Sequence, residues 1–309
     1  MHRLQKLLPF LTLVVLAIAL TIASPNFLTA DNLASVVHQT TVINVIALGM
    51  TLVIITGGID LSVGSILAIA GLLGTMSMKN GHSIPYAICV GLIVGLLCGL
   101  LNGLSISILR INPFIVTLGT MGIFRGLALV ISNGLPVHQI PDSFGFLASG
   151  TFFHLPVVLW ILLICAVLMH FVLENTKLGR YSFAIGSNRD AAYYAGVPIN
   201  FHLTMVYAII GLLSGLSGMI ESSRLMIGQP TAGVGYELEA IAAVVIGGGS
   251  LTGGEGSVLG TLIGAFVMGL LANGSDLLGI SPYWQQAIIG MVIITAVGFD
   301  ELRKRSMSK

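Results

Sequence analysis

The apolar residues of this chain come in long unbroken runs, and the polar residues gather in short gaps between them. A bilayer core of ~30 Å asks for about 20 apolar residues per helix. The pattern predicts about ten such helices, at residues 7–23, 36–55, 63–78, 85–107, 113–131, 156–172, 202–220, 238–247, 257–272 and 283–299. The eighth and ninth are short for full spans and flank the glycine-rich run 247–256. Pro85, Pro113, Pro156 and Pro282 open four of the helices, where the missing N–H has no helical partner. Trp160 and Trp284 lie near helix starts, as interfacial anchors do. Arg3 and Lys6 precede the first run, but Ser24-Pro25-Asn26 makes a poor cleavage site, so a retained first helix is expected rather than a signal peptide.

Composition turns this pattern into a fold class. Of 309 residues, 55% are hydrophobic and 8% charged, with a mean hydropathy of +1.00. Soluble domains carry about 25% charged residues. The expectation is an all-α polytopic membrane protein, a single transmembrane domain over 1–309. Net charge is +1, which says little about partners; no nucleic-acid partner is expected, and the placement of the cations is more informative. With the N-terminus cytoplasmic, Arg3, Lys6, Arg110, Lys177, Arg180, Arg189, Arg303, Lys304, Arg305 and Lys309 fall inside. Lys79 and Arg224 fall outside, and Arg125 within a span. The positive-inside rule then puts both termini in the cytoplasm. Cys89, Cys98 and Cys165 sit in apolar runs and read as packing residues, not as a disulfide or metal set.

An internal echo relates residues 55–67 to residues 246–259, with one residue inserted in the second copy. It suggests a parallel pseudo-repeat with helices broken at related places, although glycine-rich membrane segments also resemble each other by chance. Gly91, Gly95, Gly99 and Gly103 recur every fourth residue, as do Gly256, Gly260 and Gly264. Such faces let helix backbones approach closely; lining a pathway is the other reading. Asp60 is costly in a bilayer without a partner or cavity. Asp60 or Ser62 is expected to cap the next helix; a part for Asp60 in passage or gating is the other reading. Asn102, Arg125 and Ser250 join Asp60 and Ser62 as pathway or gate candidates. Arg125 must snorkel, pair, hydrogen-bond or face a cavity. Glu221, Arg224, Glu237 and Glu239 cluster around an outer loop, as a docking surface or a solvated face.

Catalytic motifs are missing from the sequence. Leu251-Thr252-Gly253-Gly254-Glu255 is similar to an ABC ATPase signature, but no phosphate-binding loop accompanies it. The seven histidines are scattered singly, with no metal-ligand spacing. No cofactor, metal or enzyme activity is expected of this chain. The segment 173–201 is read as the longest cytoplasmic loop. Within it, Ser187 or Asn188 can cap a short helix that Gly196 and Pro198 end. That helix would present a compact knob to a partner.

At this segment the chain resembles a known family. Asp190-Ala191-Ala192 with Gly196 is similar to the Glu-Ala-Ala-x-x-x-Gly motif of ABC importer permeases, with Asp in place of Glu. Residues 57–65 and 229–265, above all 235–245, resemble ribose-type monosaccharide permeases. The likeness runs from about Ser24 to Gly298. Branched-chain amino acid permeases share the general architecture. The resemblance implies two permease copies around one pathway in a bacterial cytoplasmic (inner) membrane. It implies a separate ATPase that binds ATP and Mg, and a periplasmic sugar-binding protein. It places Asn188, Asp190, Ala191, Ala192 and Gly196 in a coupling helix docked on the ATPase, and carries over no sugar-contact residue. Two rivals are an ion-coupled secondary transporter, which needs a coupling-ion site, and a receptor-like membrane protein, which needs no knob.

Overall fold

The computed structural model describes the backbone of residues 2–307, and the side chains of residues 9–298 apart from positions 282, 293, 296 and 297. The side chains of Arg3, Lys6, Pro282, Arg303, Lys304, Arg305 and Lys309 lie outside those so described. The helices are α1 (His2–Ala23), α2 (Ala30–Ile55), α3 (Val63–Lys79), α4 (Ile84–Ser107), α5 (Pro113–Ser132), α6 (Phe146–Ser149), α7 (Val157–Asn175), α8 (Lys177–Ser187), α9 (Arg189–Tyr194), α10 (Ile199–Leu225), α11 (Tyr236–Ile246), α12 (Val258–Leu277) and α13 (Pro282–Met307). A two-residue hairpin of β1 (Thr151–Phe152) and β2 (Leu155–Pro156) is a small addition to an all-α chain.

Among the described residues, six helices are long and apolar enough to cross a membrane: α2, α4, α5, α7, α10 and α12. This is fewer than the ten spans expected, for two reasons. α3 has 17 residues and α11 only 11, short of the span that a bilayer core requires. α1 and α13 each include residues whose side chains are not described.

The buried centre is built by α2 and α10. Every residue of α2 from Thr40 to Ile55 is buried, so this helix touches protein on all sides. α4 shows how the periphery works. Its Gly91, Gly95, Gly99 and Gly103 are buried, while Ile93, Leu97, Leu101 and Leu104 are exposed. Small residues face protein and large aliphatics face outward, as expected when the surrounding solvent is lipid. A methyl group on Gly95 would lie 2.8 Å from Gly215 Cα, and one on Gly99 2.9 Å from Gly211 Cα. Gly103 abuts Thr204, and Gly91 abuts the Met219 side chain. α12 meets α11 in the same manner, Gly260 against Gly247 and Gly264 against Ala243. Gly256 precedes α12, which Ser257 caps by accepting from Gly260 N at 3.1 Å.

Several boundaries differ from the sequence expectation. α2 starts at Ala30, earlier than expected, because Thr29 caps it and Asn32 exchanges amide hydrogen bonds with Asn273 of α12 at 3.1 and 2.8 Å. α10 continues past residue 220 because its polar last turn is satisfied: Ser223 Oγ donates to Phe144 O at 2.7 Å and accepts from Ala148 N at 3.1 Å. The segment 173–201 is mostly helical, not a loop. Thr176 ends α7 and caps α8, accepting from Leu178 N at 3.1 Å.

The two halves of the sequence echo leave their helices by the same hydrogen bonds. After α2, Gly57 N donates to Ile54 O (2.9 Å) and Gly58 N to Val53 O (3.0 Å). After α11, Gly248 N donates to Val245 O (2.9 Å) and Gly249 N to Val244 O (2.8 Å). Gly57 and Gly248 both have positive φ, +76° and +90°, the conformation that this helix exit requires. The connections to α3 and α12 then run over residues 56–62 and 247–257. Measured between helix ends, the second is longer by four residues rather than the one that sequence matching gives.

Candidate functional site

The first break holds a buried polar network. Asp60 Oδ1 accepts from Ser62 N at 2.8 Å and from Ser62 Oγ at 2.6 Å. Ser62 Oγ in turn accepts from Asn102 Nδ2 of α4 at 2.8 Å. The serine proton is committed to the carboxylate, so the amide must present its N–H to serine, and its oxygen points elsewhere. Asp60, Ser62 and Asn102 are all fully buried. Asp60 Oδ2 and Asn102 Oδ1 have no hydrogen-bond partner among the described residues. Asp60 therefore braces the turn before α3 instead of capping the helix's first-turn N–H groups. The Ile59 carbonyl, freed by the break, accepts from Thr117 Oγ1 at 3.2 Å and Tyr207 Oη at 3.4 Å.

Arg125 is satisfied by carbonyls and not by an acid. Its Nη1 donates to Pro230 O at 2.7 Å and Ala232 O at 2.8 Å. It thereby pins the segment that leads from α10 into α11. Gly233 of that segment lies against Gly64 at the start of α3, so the N-termini of two short helices meet beside the Asp60 network. Half-helix N-termini meeting inside a bundle are a recurrent device of membrane transporters. Ser250 belongs to the second break. It is buried, its N donates to Glu255 O at 3.1 Å, and its hydroxyl bonds Thr252 Oγ1 at 2.9 Å.

α8 and α9 form the expected knob. Asn188 is the residue that caps α9, accepting from Ala191 N at 2.9 Å. Gly196 ends it with φ +81°, while Val197 N returns to Ala192 O at 3.1 Å. Asn188, Asp190, Ala191 and Gly196 are exposed. Ala192 is not: at 4% exposure it packs α9 onto its own bundle. Tyr193 and Tyr194 are the large side chains presented outward, at 68% and 86% exposure. Beside them runs a groove of about 690 Å³ lined by Arg110, Arg189, Asp190 and Tyr193 among others. On its inner side the knob touches both breaks. Gly186 of α8 lies against the Ile55 carbonyl and Gly254 N, and Gly254 N itself donates to Ile55 O at 2.9 Å. Ser182 Oγ and His202 Nε2 join α8 to α10 at 3.0 Å.

The sequence pattern of the family described as branched-chain amino acid transport system / permease component matches residues 32–297. This chain is a member of that family. The ribose import permease protein of Bacillus subtilis (strain 168) is 45% identical to this permease over 304 residues, 98% of this chain and 94% of the relative. The D-allose transport system permease protein of Escherichia coli (strain K12) is 36% identical, over 95% and 90% of the two chains. The L-arabinose transport system permease protein of the same strain is 37% identical, over 94% and 89%. No solved structure matches the chain. The permease is a multi-pass membrane protein and a transport component. Among the described residues no group of three or more His, Cys, Asp or Glu side chains is placed to hold a metal ion.

Two groups in this region escaped sequence reasoning. Thr117 and Tyr207 lie in apolar runs, where a buried hydroxyl is itself a sign that a partner must exist. Glu221 was grouped with an outer loop, yet it is 4% exposed and receives Arg224 Nε at 3.1 Å and Nη2 at 2.8 Å. Burial inside the bundle fits neither the docking surface nor the solvated face expected for it.

Proposed function

We propose that this chain is the membrane-spanning subunit of a binding-protein-dependent ABC importer for a monosaccharide, with ribose the leading choice. The observation that carries this reading is the α8–α9 knob. It is capped at both ends, exposes two tyrosines beside a groove, and rests on both glycine breaks through Gly186. A rigid element exposed on one side and seated on two helix breaks on the other is suited to passing a push into the bundle. Relatives named for ribose, allose and arabinose, matched over nearly the whole chain, favour a sugar over the branched-chain amino acids of the family description.

In this reading residues 1–309 form one permease domain with ten spans and cytoplasmic termini, in a bacterial inner membrane. Residues 173–201 face the cytoplasm. Two copies of the chain pair around the pathway, surrounded by lipid. A separate ATPase holds ATP and Mg and receives α9, through Asn188, Asp190, Ala191 and Gly196, with Ala192 seating the helix. A periplasmic binding protein delivers the sugar. ATP binding moves the knob, Gly186 carries that motion to Ile55 and Gly254, and the bundle exchanges outward- and inward-open states. The ATPase does work only by binding those states unequally. Asp60, Ser62, Asn102, Arg125 and Ser250 hold the broken segments that bend in the exchange. The glycines at 91, 95, 99, 103, 256, 260 and 264 keep the helices close-packed.

The test is uptake of radiolabelled D-ribose into vesicles holding the permease, its ATPase and its binding protein. Gly196→Val, which forces a β-branched residue into positive φ, is expected to lower ATP-driven uptake at least tenfold with membrane abundance unchanged. Uptake at the wild-type rate in that variant, or uptake without ATP, overturns the reading in favour of an ion-coupled cycle. Cysteine labelling at positions 79, 143 and 190 checks orientation, and labelling of 190 from the periplasm contradicts it.

A further inference from the structure

At the end of the bundle opposite α9, a cavity of about 220 Å³ lies between α2, α10, α11, α12 and α13. α10 separates the two ends, since its 27 residues rise about 40 Å at 1.5 Å each. Polar side chains line most of the cavity, among them Gln39, Arg224, Tyr236, Glu239, Asp276 and Gln285. In a chain with only 8% charged residues, one arginine, two carboxylic acids and two amides converging on one space is a costly concentration. Polar groups at membrane depth persist where they line a path or a site.

The wall is held from behind. Buried Glu221 takes two hydrogen bonds from Arg224 and a third from the Tyr236 hydroxyl at 3.3 Å. These two side chains are thereby fixed before any ligand arrives. Gln39, Glu239 and Gln285 spend no side-chain hydrogen bond on other described residues, and their donors and acceptors are left to the cavity. Asp276, at the mouth, is exposed.

We infer that this cavity is a monosaccharide site on the outward-facing half of the permease, resting on the sugar-import reading above. A sugar hydroxyl both donates and accepts. It pairs equally with carboxylates, with amides and with an arginine, and the tyrosine ring offers an apolar face to the sugar C–H groups. The volume holds roughly seven waters at about 30 Å³ each, the scale of one sugar ring and not of two. The chemistry disfavours a zwitterionic amino acid. Its carboxylate needs a free cation, and Arg224 is already neutralised by Glu221.

The test is saturation-transfer NMR on the full chain in lipid nanodiscs, with D-ribose, D-allose and L-arabinose as probes and L-leucine for comparison. Saturation transfer to at least one sugar is expected. Glu239→Gln and Gln39→Ala should each weaken it fivefold or more. Ala272→Phe, which fills the cavity without touching a polar group, should abolish it. Glu239→Gln changes no volume, so it remains decisive if the bulkier variant misfolds. Transfer that is equal in wild type and variants, or absent for every sugar, overturns the site. Vesicle uptake separates this from failure of the import reading. Sugar uptake without a cavity signal overturns the site alone. A leucine signal that these variants remove, with no sugar uptake, overturns both.

Discussion

The two breaks begin alike and end differently. Both helices exit through a glycine with positive φ and the same pair of hydrogen bonds. The first break then takes a short route through Asp60 and Ser62, tied to Asn102 of another helix. The second takes a longer route of its own turns, Ser250 to Glu255 and Ser250 to Thr252, and reaches across to the Ile55 carbonyl through Gly254. One break is fastened to the bundle by side chains. The other holds its own turn through the Ser250 and Thr252 hydroxyls and meets the first break through the Gly254 backbone. A repeated sequence element thus gives one joint anchored through a buried carboxylate and a second, longer joint, and the knob meets both where they touch.

The largest effect is expected where the two breaks meet. Gly186→Val places a side chain against the Ile55 carbonyl and Gly254 backbone, which cannot rotate away as a side chain can. Overpacking costs about 1–3 kcal/mol and sometimes more, and the upper end applies here. Thermal unfolding in detergent should show it, and ATP-driven uptake should fall at least tenfold. Normal stability and uptake would mean that α8 does not bear on the breaks.

A middle effect belongs to the anchored joint. Asp60→Ala removes the acceptor of two hydrogen bonds, each to a carboxylate and worth about 1.5–3 kcal/mol. Their shared geometry suggests a total of about 3 kcal/mol or less. Asp60→Asn keeps one acceptor oxygen and should lose less than half of that. Equal loss in both variants would mean that the negative charge, not the turn geometry, holds the break.

The smallest effect belongs to the longer joint. Ser250→Ala deletes neutral bonds to the Thr252 hydroxyl and the Thr252 amide, each worth about 0.5–1.5 kcal/mol, and should lower the melting temperature less than Asp60→Ala does. A loss as large as that of Asp60→Ala would erase the distinction between the joints.

Much of this was legible in the sequence. The apolar runs, the glycine faces and the paired glycine exits follow from local composition and spacing. So do the Asn188 cap and the Gly196 exit, because caps and exits are satisfied by residues a few positions away. The inward turn of Ala192 was not legible. In a helix as short as α9, small residues mark either face equally well.

What the sequence alone determined is therefore what near neighbours can satisfy: apolar helices, breaks, caps and close-packing faces. Only the tertiary structure decided which distant groups meet. Asn102 reaches Ser62, Arg125 reaches the Pro230 and Ala232 carbonyls, and Glu221 stands behind the outer cavity. The physical reason lies in the solvent. In water, a polar face marks the outside of a helix and an apolar face the inside. In lipid both faces are apolar, so the pattern no longer says which way a helix turns. Long-range polar partners are then settled by how the backbones pack, and not by anything written along one helix.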